Sequence, residues 1–464
     1  MRPQKGGRSM ERRREVLLRV GSQANPQPLI GLGTEWDPHI FRSWNCEEPG
    51  RPGFLAARDW PLFRERIRLL GLQRVRIQIQ PEGYEPEAGR FDFREDNEAF
   101  AAILRQLETA QEYGIRVNAT FWCAQRESWL GFADSPEWCS APSDVEAYAE
   151  NVVQFLREIR IRRGYTCLKE ITLFNEPSWA YHGPGGPVDY PGFVRLFKRT
   201  DQRLREEGLR DGIELVGADD AEHTAWYENC VRDTHAQADM FASHTYAYNL
   251  DTPCAVIREW LEGRVAFARE QGEGKPFLVD EFGTNFVIPP MTATDVHTYE
   301  RGLFLAKFTA LALEAGASGI SYWCMYNQNY GPNNRMEVGL WGFSDENYAP
   351  RPTYFAWGIL NTGLAAGSAV FPIETDGQED VLAVAALSPQ GRWSYLAVNT
   401  SGAPVQIRLQ SPADPADNCE KRLYSPENVA GGDRLPPWTA AQAGTGGLTD
   451  VLPGRSFAVY RGSH

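Results

Sequence analysis

Strand-like apolar runs alternate with helix-length amphipathic segments along most of this 464-residue sequence. Such alternation is typical of βα units, in which helices connect parallel strands. The pattern predicts eight strands, most of them followed by a helix, and eight is the number that closes a (β/α)8 TIM barrel. The predicted strands are Leu29–Gly33, Val75–Gln80, Val117–Phe121, Ile171–Phe174, Ile213–Gly217, Met240–Ser243, Phe277–Val279 and Gly319–Tyr322.

The helices between these strands are predicted from their periodicity. In Asp96–Tyr113, the apolar residues Ile103, Leu104 and Leu107 share one helical face, and Gly114 follows as a C-cap. Similar patterns predict helices at Ser143–Arg160, Val194–Glu207, Ala255–Gln271 and Tyr299–Glu314.

From about residue 367 the sequence changes to short β-rich runs separated by Gly, Pro, Ser and Asp turns. This pattern predicts an antiparallel β-sandwich over 367–464, after a barrel over 28–366. In the tail 1–27, Glu15–Val20 is predicted to be a strand that joins the sandwich. The segment 411–450, rich in Pro, Gly and Ala, is predicted to be a long loop. The sandwich strands are predicted at Ala369–Glu374, Val381–Leu387, Ser394–Asn399, Val405–Leu409 and Ser456–Arg461.

Charge and composition exclude several kinds of partner. The 47 basic and 61 acidic residues give a net charge of −14, whereas nucleic acid and anionic membranes attract basic surfaces. No segment has the roughly 18 apolar residues that span a bilayer, and the N-terminus lacks a signal-peptide pattern. The eight cysteines are scattered, as reduced core residues are. We expect a cytoplasmic protein with no nucleic-acid or membrane partner; a homo-oligomer stays open.

Cofactor chemistry is not indicated by the motifs. The seven histidines are spread out, with no His-x-x-x-His or comparable spacing of metal ligands. Gly31-Leu32-Gly33 follows a predicted strand, but the remaining glycine and the helix of a dinucleotide-binding motif are missing. We therefore expect neither a metal nor an organic cofactor.

Polar and aromatic residues gather at the carboxyl ends of the predicted strands, where barrel enzymes carry their functional residues. A cleft that binds a polyhydroxylated ligand requires such groups. In chain order the strand ends carry Glu35-Trp36-Asp37, Gln80, Trp122, Asn175-Glu176-Pro177, Asp219-Asp220, His244-Thr245-Tyr246, Asp280-Glu281 and Trp323.

Two of these ends could supply a pair of catalytic carboxyl groups. Pro177 ends strand four directly after Asn175-Glu176, and strand seven ends with Asp280-Glu281. Strands four and seven lie across a barrel from one another, so their carboxyl groups could converge. Glycoside hydrolysis uses two such groups, one protonated and one ionised. Neighbouring strand residues face opposite ways, so only one of Asp280 and Glu281 is expected in the cleft, and the pattern does not choose.

The sequence resembles the clan A glycoside hydrolases, a superfamily of retaining (β/α)8 barrels, among them families 39, 30, 51 and 5. The resemblance covers about residues 28–365, and the trailing sandwich is similar to that of members active on xylosides and arabinosides. The shared motifs, in the same strand order, are Arg76, Asn175-Glu176-Pro177, His244-Thr245-Tyr246, Glu281 and Trp323.

The resemblance implies a double displacement on a β-glycosidic or equivalent furanosidic bond, with Glu176 as acid/base. It favours Glu281 over Asp280 as the nucleophile. Arg76 and Tyr246 would keep Glu281 ionised, the first by opposite charge and the second by a hydrogen bond.

The resemblance also implies substrate contacts. Asn175 would bond the sugar 2-hydroxyl, and Trp323 would form the floor of the subsite for the cleaved sugar. The further candidates have alternatives: His244 could be a structural histidine, the tryptophans could fill the core or the rim, and Asp37 could support the site. Asp219 and Asp220 could form a polar cap, or they could be rivals of the two glutamates for the catalytic pair. These further candidates for substrate binding are Trp36, Asp37, Trp122, Trp179, Asp219 and His244.

We expect exo action on short oligosaccharides or glycosides, with long loops closing the cleft into a pocket. A transglycosylase shares the first half-reaction and remains an alternative. A non-catalytic carbohydrate-binding barrel is the second alternative. The loops in question are 36–58, 124–142, 178–190 and 326–350.

Overall fold

The predicted barrel is confirmed. The computed structural model shows eight parallel strands in a closed ring, in which the first strand pairs with both the second and the last. Each predicted barrel strand overlaps an observed one. In chain order the strands are β1 (Arg14–Val20), which lies outside the barrel, and the barrel strands β2 (Gly31–Trp36), β3 (Arg74–Ile79), β4 (Arg116–Phe121), β5 (Leu168–Thr172), β6 (Glu214–Ala221), β7 (Met240–Thr245), β8 (Phe277–Phe282) and β9 (Gly319–Tyr322).

Most of the chain is described by the structure. The described residues are 14–42, 55–122, 124–125, 128–136, 139–284, 295–329, 335–411, 419–429, 432–441, 443–444 and 447–462. Of the loops predicted to close the cleft, 178–190 lies within these residues. The loops 36–58, 124–142 and 326–350 lie partly outside them, as does the predicted tail 1–27.

Helix α2 (Glu98–Tyr113) begins and ends at capping residues. In α2, Asn97 accepts hydrogen bonds from the backbone N–H groups of Ala99 and Phe100, and Gly114 ends the helix with φ +68°. None of the described helices combines the length and the apolar character that crossing a bilayer requires. The described α-helices are α1 (Trp60–Leu70), α2 (Glu98–Tyr113), α3 (Val145–Leu156), α4 (Pro177–Ala180), α5 (Tyr190–Glu206), α6 (Thr224–Thr234), α7 (Cys254–Gln271), α8 (Tyr299–Ala315) and α9 (Pro352–Gly363).

The C-terminal strands form a second sheet with its own apolar core, after a small hairpin of β10 (Gln328–Asn329) and β11 (Arg335–Met336). Its strands are β12 (Ala369–Glu374), β13 (Val381–Leu387), β14 (Trp393–Asn399), β15 (Val405–Gln410), β16 (Cys419–Tyr424), β17 (Thr439–Ala441), β18 (Ala443–Gly444), β19 (Gly447–Leu452) and β20 (Ser456–Gly462). The strand β1 pairs antiparallel with β12 and parallel with β15, so it is part of this mostly antiparallel sheet. The sheet order is β17-β16-β20-β14-β13-β12-β1-β15-β19-β18.

The prediction of a long loop over 411–450 is wrong. The strands β16, β17 and β18 lie in this segment, and β19 begins in it. In β16 the four residues between Cys419 and Tyr424 are only partly buried, and three of them are charged. Such a strand lacks the apolar alternation on which strand prediction depends, and its pairing with β20 and β17 determines its conformation instead.

The interior of the barrel is charged below the strand ends. The fully buried guanidinium of Arg74 on β3 donates to Glu170 on β5 at 2.7 Å and to Asp280 on β8 at 3.0 Å. Asn118 on β4 also donates to Asp280, at 3.2 Å. Burial raises the pKa of Glu170, but the charges of Arg74 and Arg116 outweigh it and hold the pKa below its usual range. This network ties four strands together directly beneath the candidate site.

Replacing Arg74 by methionine is expected to lower the free energy of unfolding by about 3–5 kcal/mol, because it leaves two buried carboxylates without their main counter-charge. Denaturant unfolding of Arg74→Met measures the loss. Arg64→Met is the matched control, since the pair of Arg64 with Glu112 lies at the surface and such pairs contribute about 0–1 kcal/mol. Equal losses in the two variants would contradict a stabilising role for the buried network.

Candidate active site

The carboxyl groups of Glu176 and Glu281 meet at the carboxyl end of the barrel. Glu176 follows the end of β5 and precedes α4, with its backbone in the left-handed region at φ +47°. Glu281 belongs to β8. Oxygen atoms of the two carboxyl groups and a ring nitrogen of His244 all lie within 4.8 Å of one another. The structure therefore brings together the two groups that the sequence placed 105 positions apart.

Glu281 is held by two donors in a nearly closed environment. The guanidinium of Arg76 donates to Oε1, and the hydroxyl of Tyr246 donates to Oε2 at 2.7 Å. Burial raises the pKa of Glu281, and Glu176 adds to the rise. His244, Arg76 and the Tyr246 hydrogen bond offset it only in part, so the pKa stays above its usual range.

Glu176 is more open to solvent than Glu281 and has a different pair of partners. Its Oε1 lies 2.8 Å from Nδ1 of His244, and its Oε2 accepts a hydrogen bond from the Trp179 indole at 2.5 Å. The Trp179 side chain is 49% exposed, so its ring flanks Glu176 at the surface. Trp179 thus lies where it could touch a group bound at Glu176.

His244 bridges the acidic groups of the site. Its Nε2 lies 3.0 Å from Oδ1 of Asp219, and its Nδ1 lies 3.4 Å from Oε2 of Glu281, in addition to the contact with Glu176. Burial lowers the pKa of His244, but Glu281 and Asp219 outweigh this effect and raise the pKa well above its usual range. An imidazolium at this place donates from both nitrogens.

The trio Glu176, His244 and Glu281 is close enough to be considered as a ligand set for a metal ion. A metal-ligating histidine must offer an unprotonated nitrogen. The surrounding carboxylates favour the charged form of His244, so a metal ion at this place would compete with a proton for its ring nitrogen.

Asp280 and Glu281 both face the barrel interior, although strict alternation along a strand would turn them to opposite sides; only Glu281 lies in the cleft. The pairing of β7 with β8 shifts register between Ser243 and His244, and the pairing of β8 with β9 shifts between Val279 and Phe282. Such bulges rotate consecutive side chains to the same side. Asp280 points down to Arg74, and Glu281 lies at the level of Glu176.

A similar shift separates Asp219 from Asp220 on β6. Ala218 and Asp219 both have positive φ, +63° and +47°, where the register of β6 against β7 changes. Asp219 therefore reaches His244 and Arg76 in the site. Asp220 bonds Ser243 and Arg264 instead, among the surrounding helices.

Arg76 also orients Asn175. It donates to the amide oxygen of Asn175 at 3.1 Å, so the amide nitrogen is the part of this group that could donate to a ligand. This arrangement suits the hydroxyl contact that the resemblance implies for Asn175.

Aromatic side chains form one wall beside the carboxyl pair. The rings of Trp122 and Trp323 are 6.3 Å apart with an angle of 29° between their planes, and the Trp323 indole donates to the sulfur of Met336. Trp122 and Tyr246 pack against the same small apolar cluster as Trp323. Broad apolar faces of this kind are suited to stacking on sugar rings.

Trp36 and Asp37 are fully buried among other residues of the chain. Trp36 is fully buried, with its ring 6.4 Å from that of Trp60. Asp37 accepts a hydrogen bond from the backbone N–H of His39 and caps the short helix Pro38–Phe41. The sequence carried this signal, since an Asp directly before a proline is a common helix start.

Glu222 also supports the site, although no sequence pattern predicts this role. Its Oε1 accepts hydrogen bonds from the Thr245 hydroxyl and from the backbone N–H groups of Tyr246 and Ala247, at 2.6–3.0 Å. These contacts fix the backbone that carries the Tyr246 hydroxyl. A lone glutamate after a strand gives no sequence signal of this role.

The fold has close counterparts among solved structures, although no protein-family model and no curated protein matches the sequence. The catalytic domain of GH30 xylanase C from Talaromyces cellulolyticus superposes with a TM-score of 0.71 at 15% identity, covering 97% of this chain and 100% of that one. The chain shares the fold of that domain.

Two further structures extend the likeness. A glucosidase from Croceicoccus marinus matches with a TM-score of 0.68 at 11% identity, over 97% of this chain and 99% of the other. A family 39 glycoside hydrolase from Bacteroides cellulosilyticus matches with a TM-score of 0.61 at 16% identity, over 93% and 81%. Because the matches span nearly the whole chain, the likeness includes both the barrel and the sandwich.

Proposed function

We propose that this protein is a retaining glycoside hydrolase that cleaves a β-glycosidic, or equivalent furanosidic, bond by double displacement. The observation that carries the proposal is the approach of the Glu176 and Glu281 oxygens to within 4.8 Å. Retaining enzymes have carboxyl groups about 5–5.5 Å apart, whereas inverting enzymes leave about 6.5–9.5 Å for a water molecule.

In the first step Glu281 attacks the anomeric carbon while Glu176 gives its proton to the leaving oxygen. The bond from Oε of Glu281 to the anomeric carbon forms as the glycosidic bond breaks. Arg76 and Tyr246 orient the attacking carboxylate through the contacts that they make with its two oxygens. Positive charge develops on the ring in this step, and Asn175 supplies a donor for the 2-hydroxyl.

In the second step Glu176 acts as a base. It takes a proton from water, the oxygen of which attacks the anomeric carbon and releases Glu281 as a carboxylate. His244 remains hydrogen-bonded to Glu176 in both steps and keeps the carboxyl group in place. Two inversions at one carbon give net retention of configuration.

The identity of the sugar is left open by the similar structures, whose names include xylanases and a glucosidase. Exo action on short glycosides is part of the proposal and rests on the long loops after the strand ends. The similar structures include an endoxylanase, so the fold does not decide the question. The product pattern from a reduced oligosaccharide would decide it, because an exo enzyme releases single units from one end. A cytoplasmic location also remains a proposal, testable by cell fractionation.

The test of the mechanism is covalent trapping with a panel of 2-deoxy-2-fluoro glycosyl donors. Fluorine at C2 slows hydrolysis of the glycosyl-enzyme, so intact-protein mass should rise by one sugar. Peptide mapping should place the adduct on Glu281, and Glu281→Gln should form none. An adduct on Asp280, or on any other residue, would contradict the assignment of the nucleophile.

Product analysis with and without an added alcohol distinguishes hydrolysis from transfer of the sugar to another acceptor. A hydrolase gives mainly free sugar in both cases, and a transglycosylase gives an alkyl glycoside. A barrel that only binds carbohydrate gives no product from any donor.

Removing the Tyr246 hydroxyl should move the acidic limb of activity to higher pH. The hydroxyl donates a hydrogen bond that stabilises the ionised form of Glu281, so its loss in Tyr246→Phe raises the pKa of Glu281 further. Glu281 must be ionised to attack, so activity is lost as pH falls through its pKa. A hydrogen bond to a charged group contributes about 1.5 kcal/mol, which corresponds to a shift of about one pH unit.

The measurement is the pH dependence of kcat/KM for wild type and Tyr246→Phe. Tyr299→Phe is a suitable control, since Tyr299 packs against Tyr424 of the sandwich, away from the site. A limb that stays in place, or moves to lower pH, would show that the Tyr246 hydroxyl does not stabilise the ionised nucleophile.

A further inference from the structure

A second glutamate shares the guanidinium nitrogen that binds the nucleophile. Nη1 of Arg76 contacts Oε1 of Glu281 and also lies 3.2 Å from Oε2 of Glu35, at the end of β2. The mechanism proposed above does not use Glu35. Whether Glu35 is charged during the reaction depends on the groups that surround it.

Glu35 is fully buried, and among the described residues neither of its oxygens has a hydrogen-bond partner. An ionised carboxylate in such a place is costly unless it is paired and hydrogen-bonded. Arg76 is already faced by Glu281, by Asp219 at 3.2 Å and by Asp280 at 3.7 Å. A fourth negative charge at Glu35 would be repelled by all three.

The groups around Glu35 support a protonated resting state. Burial raises the pKa of Glu35 well above its usual range; Glu281 and Asp37 raise it too, against the opposing charges of Arg76 and His244. The thiol of Cys324, also nearby, is neutral because burial raises its pKa. Of these neighbours, Glu281 is the one whose charge the double displacement removes.

Esterification of Glu281 reduces the negative charge that surrounds Arg76. The glycosyl ester carries no charge, so Nη1 loses its nearest anion while Arg76 remains a cation. The repulsion that Glu281 exerts on Glu35 disappears in the same step. The attraction between Arg76 and Glu35 is then opposed by fewer negative charges.

We propose that Glu35 is a positioning residue that holds a proton while Glu281 is a carboxylate, and releases it to become the counter-ion of Arg76 while Glu281 is esterified. This inference rests on the proposed function. In the first step Glu176 still protonates the leaving oxygen, and the Glu35 proton passes to solvent. Hydrolysis restores the charge on Glu281, and Glu35 takes up a proton again, so the cycle has no net proton change.

The test uses infrared difference spectroscopy at neutral pH and needs no turnover. Wild type minus Glu35→Gln should show the C=O band of a protonated carboxyl group. Glu281→Gln, whose neutral amide stands in for the ester, is compared with the double variant Glu35→Gln/Glu281→Gln. In this second difference the protonated band should be lost and carboxylate bands should replace it.

Carboxylate bands in the first difference, or a protonated band in the second, would overturn the proposal. If Glu35 has only a structural role, it is protonated in both pairs of variants, and the second difference then shows a protonated band. If Glu281→Gln does not fold, as judged by circular dichroism, the 2-fluoro adduct of wild type minus that of Glu35→Gln supplies the same comparison. Failure of every donor to form an adduct counts against the enzymatic function, whereas the two variant pairs report on Glu35 alone.

Discussion

Glu281→Ala is expected to lower kcat on the best glycoside substrate by a factor on the order of 10⁵, since removing a nucleophile has effects of this size in other covalent enzymes. Alanine leaves a space beside Arg76 and the Tyr246 hydroxyl, which together form a site for a small anion. Azide should therefore restore part of the activity. Because azide attacks once, the product should be a glycosyl azide of opposite configuration to the substrate.

The measurement combines steady-state rates with an assignment of the product configuration by NMR. Glu262→Gln is the control, because Glu262 is exposed on α7 and its replacement should leave kcat within about twofold. Retention of more than a tenth of the wild-type rate by Glu281→Ala would exclude Glu281 as the nucleophile. A rescued product of unchanged configuration would exclude a single displacement in the variant.

The barrel could be predicted because parallel strands buried on both faces leave continuous apolar runs in the sequence. All six residues of β3 and of β8 are buried; the apolar pattern predicts β3 despite Arg76, and it predicts β8 only as far as Val279, before its two acidic residues. Helix ends were equally clear where Gly114 follows α2. The sandwich strands β12 and β13 were predicted with their observed bounds because their residues are mainly apolar.

The strands that begin between residues 411 and 450 could not be predicted because their side chains are mixed in character. β16 has charged residues at three of its six positions, and it becomes a strand by pairing with β20. Pairing of this kind is a tertiary effect that local sequence does not carry.

The direction in which side chains at the strand ends point could not be predicted from the sequence either. Strict alternation would turn one of Asp280 and Glu281 away from the interior, and the bulge at this point turns both inward. A bulge depends on how two neighbouring strands pair, so a single strand cannot reveal it. The same limit applies to Asp219, which reaches the site through a register shift.

The tryptophans predicted to bind substrate lie in two different environments, and sequence alone could not assign them. A tryptophan after a strand can stack on a ligand or fill the core, and composition does not distinguish the two uses. Trp122 and Trp323 face one another beside the carboxyl pair, whereas Trp36 packs on Trp60. The difference depends on the positions of neighbouring helices, which a strand-end motif does not specify.

Glu176→Gln should have an effect that depends on the leaving group of the substrate. An alkoxide or sugar leaving group needs a proton, so kcat/KM on such substrates should fall by about 10²–10⁴-fold. A dinitrophenolate leaves without a proton, so the first step with an aryl donor of this kind should be nearly unchanged. The second step lacks its base, and glycosyl-enzyme should accumulate on Glu281.

Pre-steady-state release of dinitrophenolate and the mass of the accumulated adduct measure the two effects. Azide needs no base to attack, so it should speed turnover and give a product of retained configuration, opposite to the result for Glu281→Ala. Trp179→Phe is the matched comparison, because it removes the indole donor to Glu176 while keeping the carboxyl group. A loss of equal size for both leaving groups would show that Glu176 does not transfer the proton, and its contacts with His244 and Trp179 would then be structural.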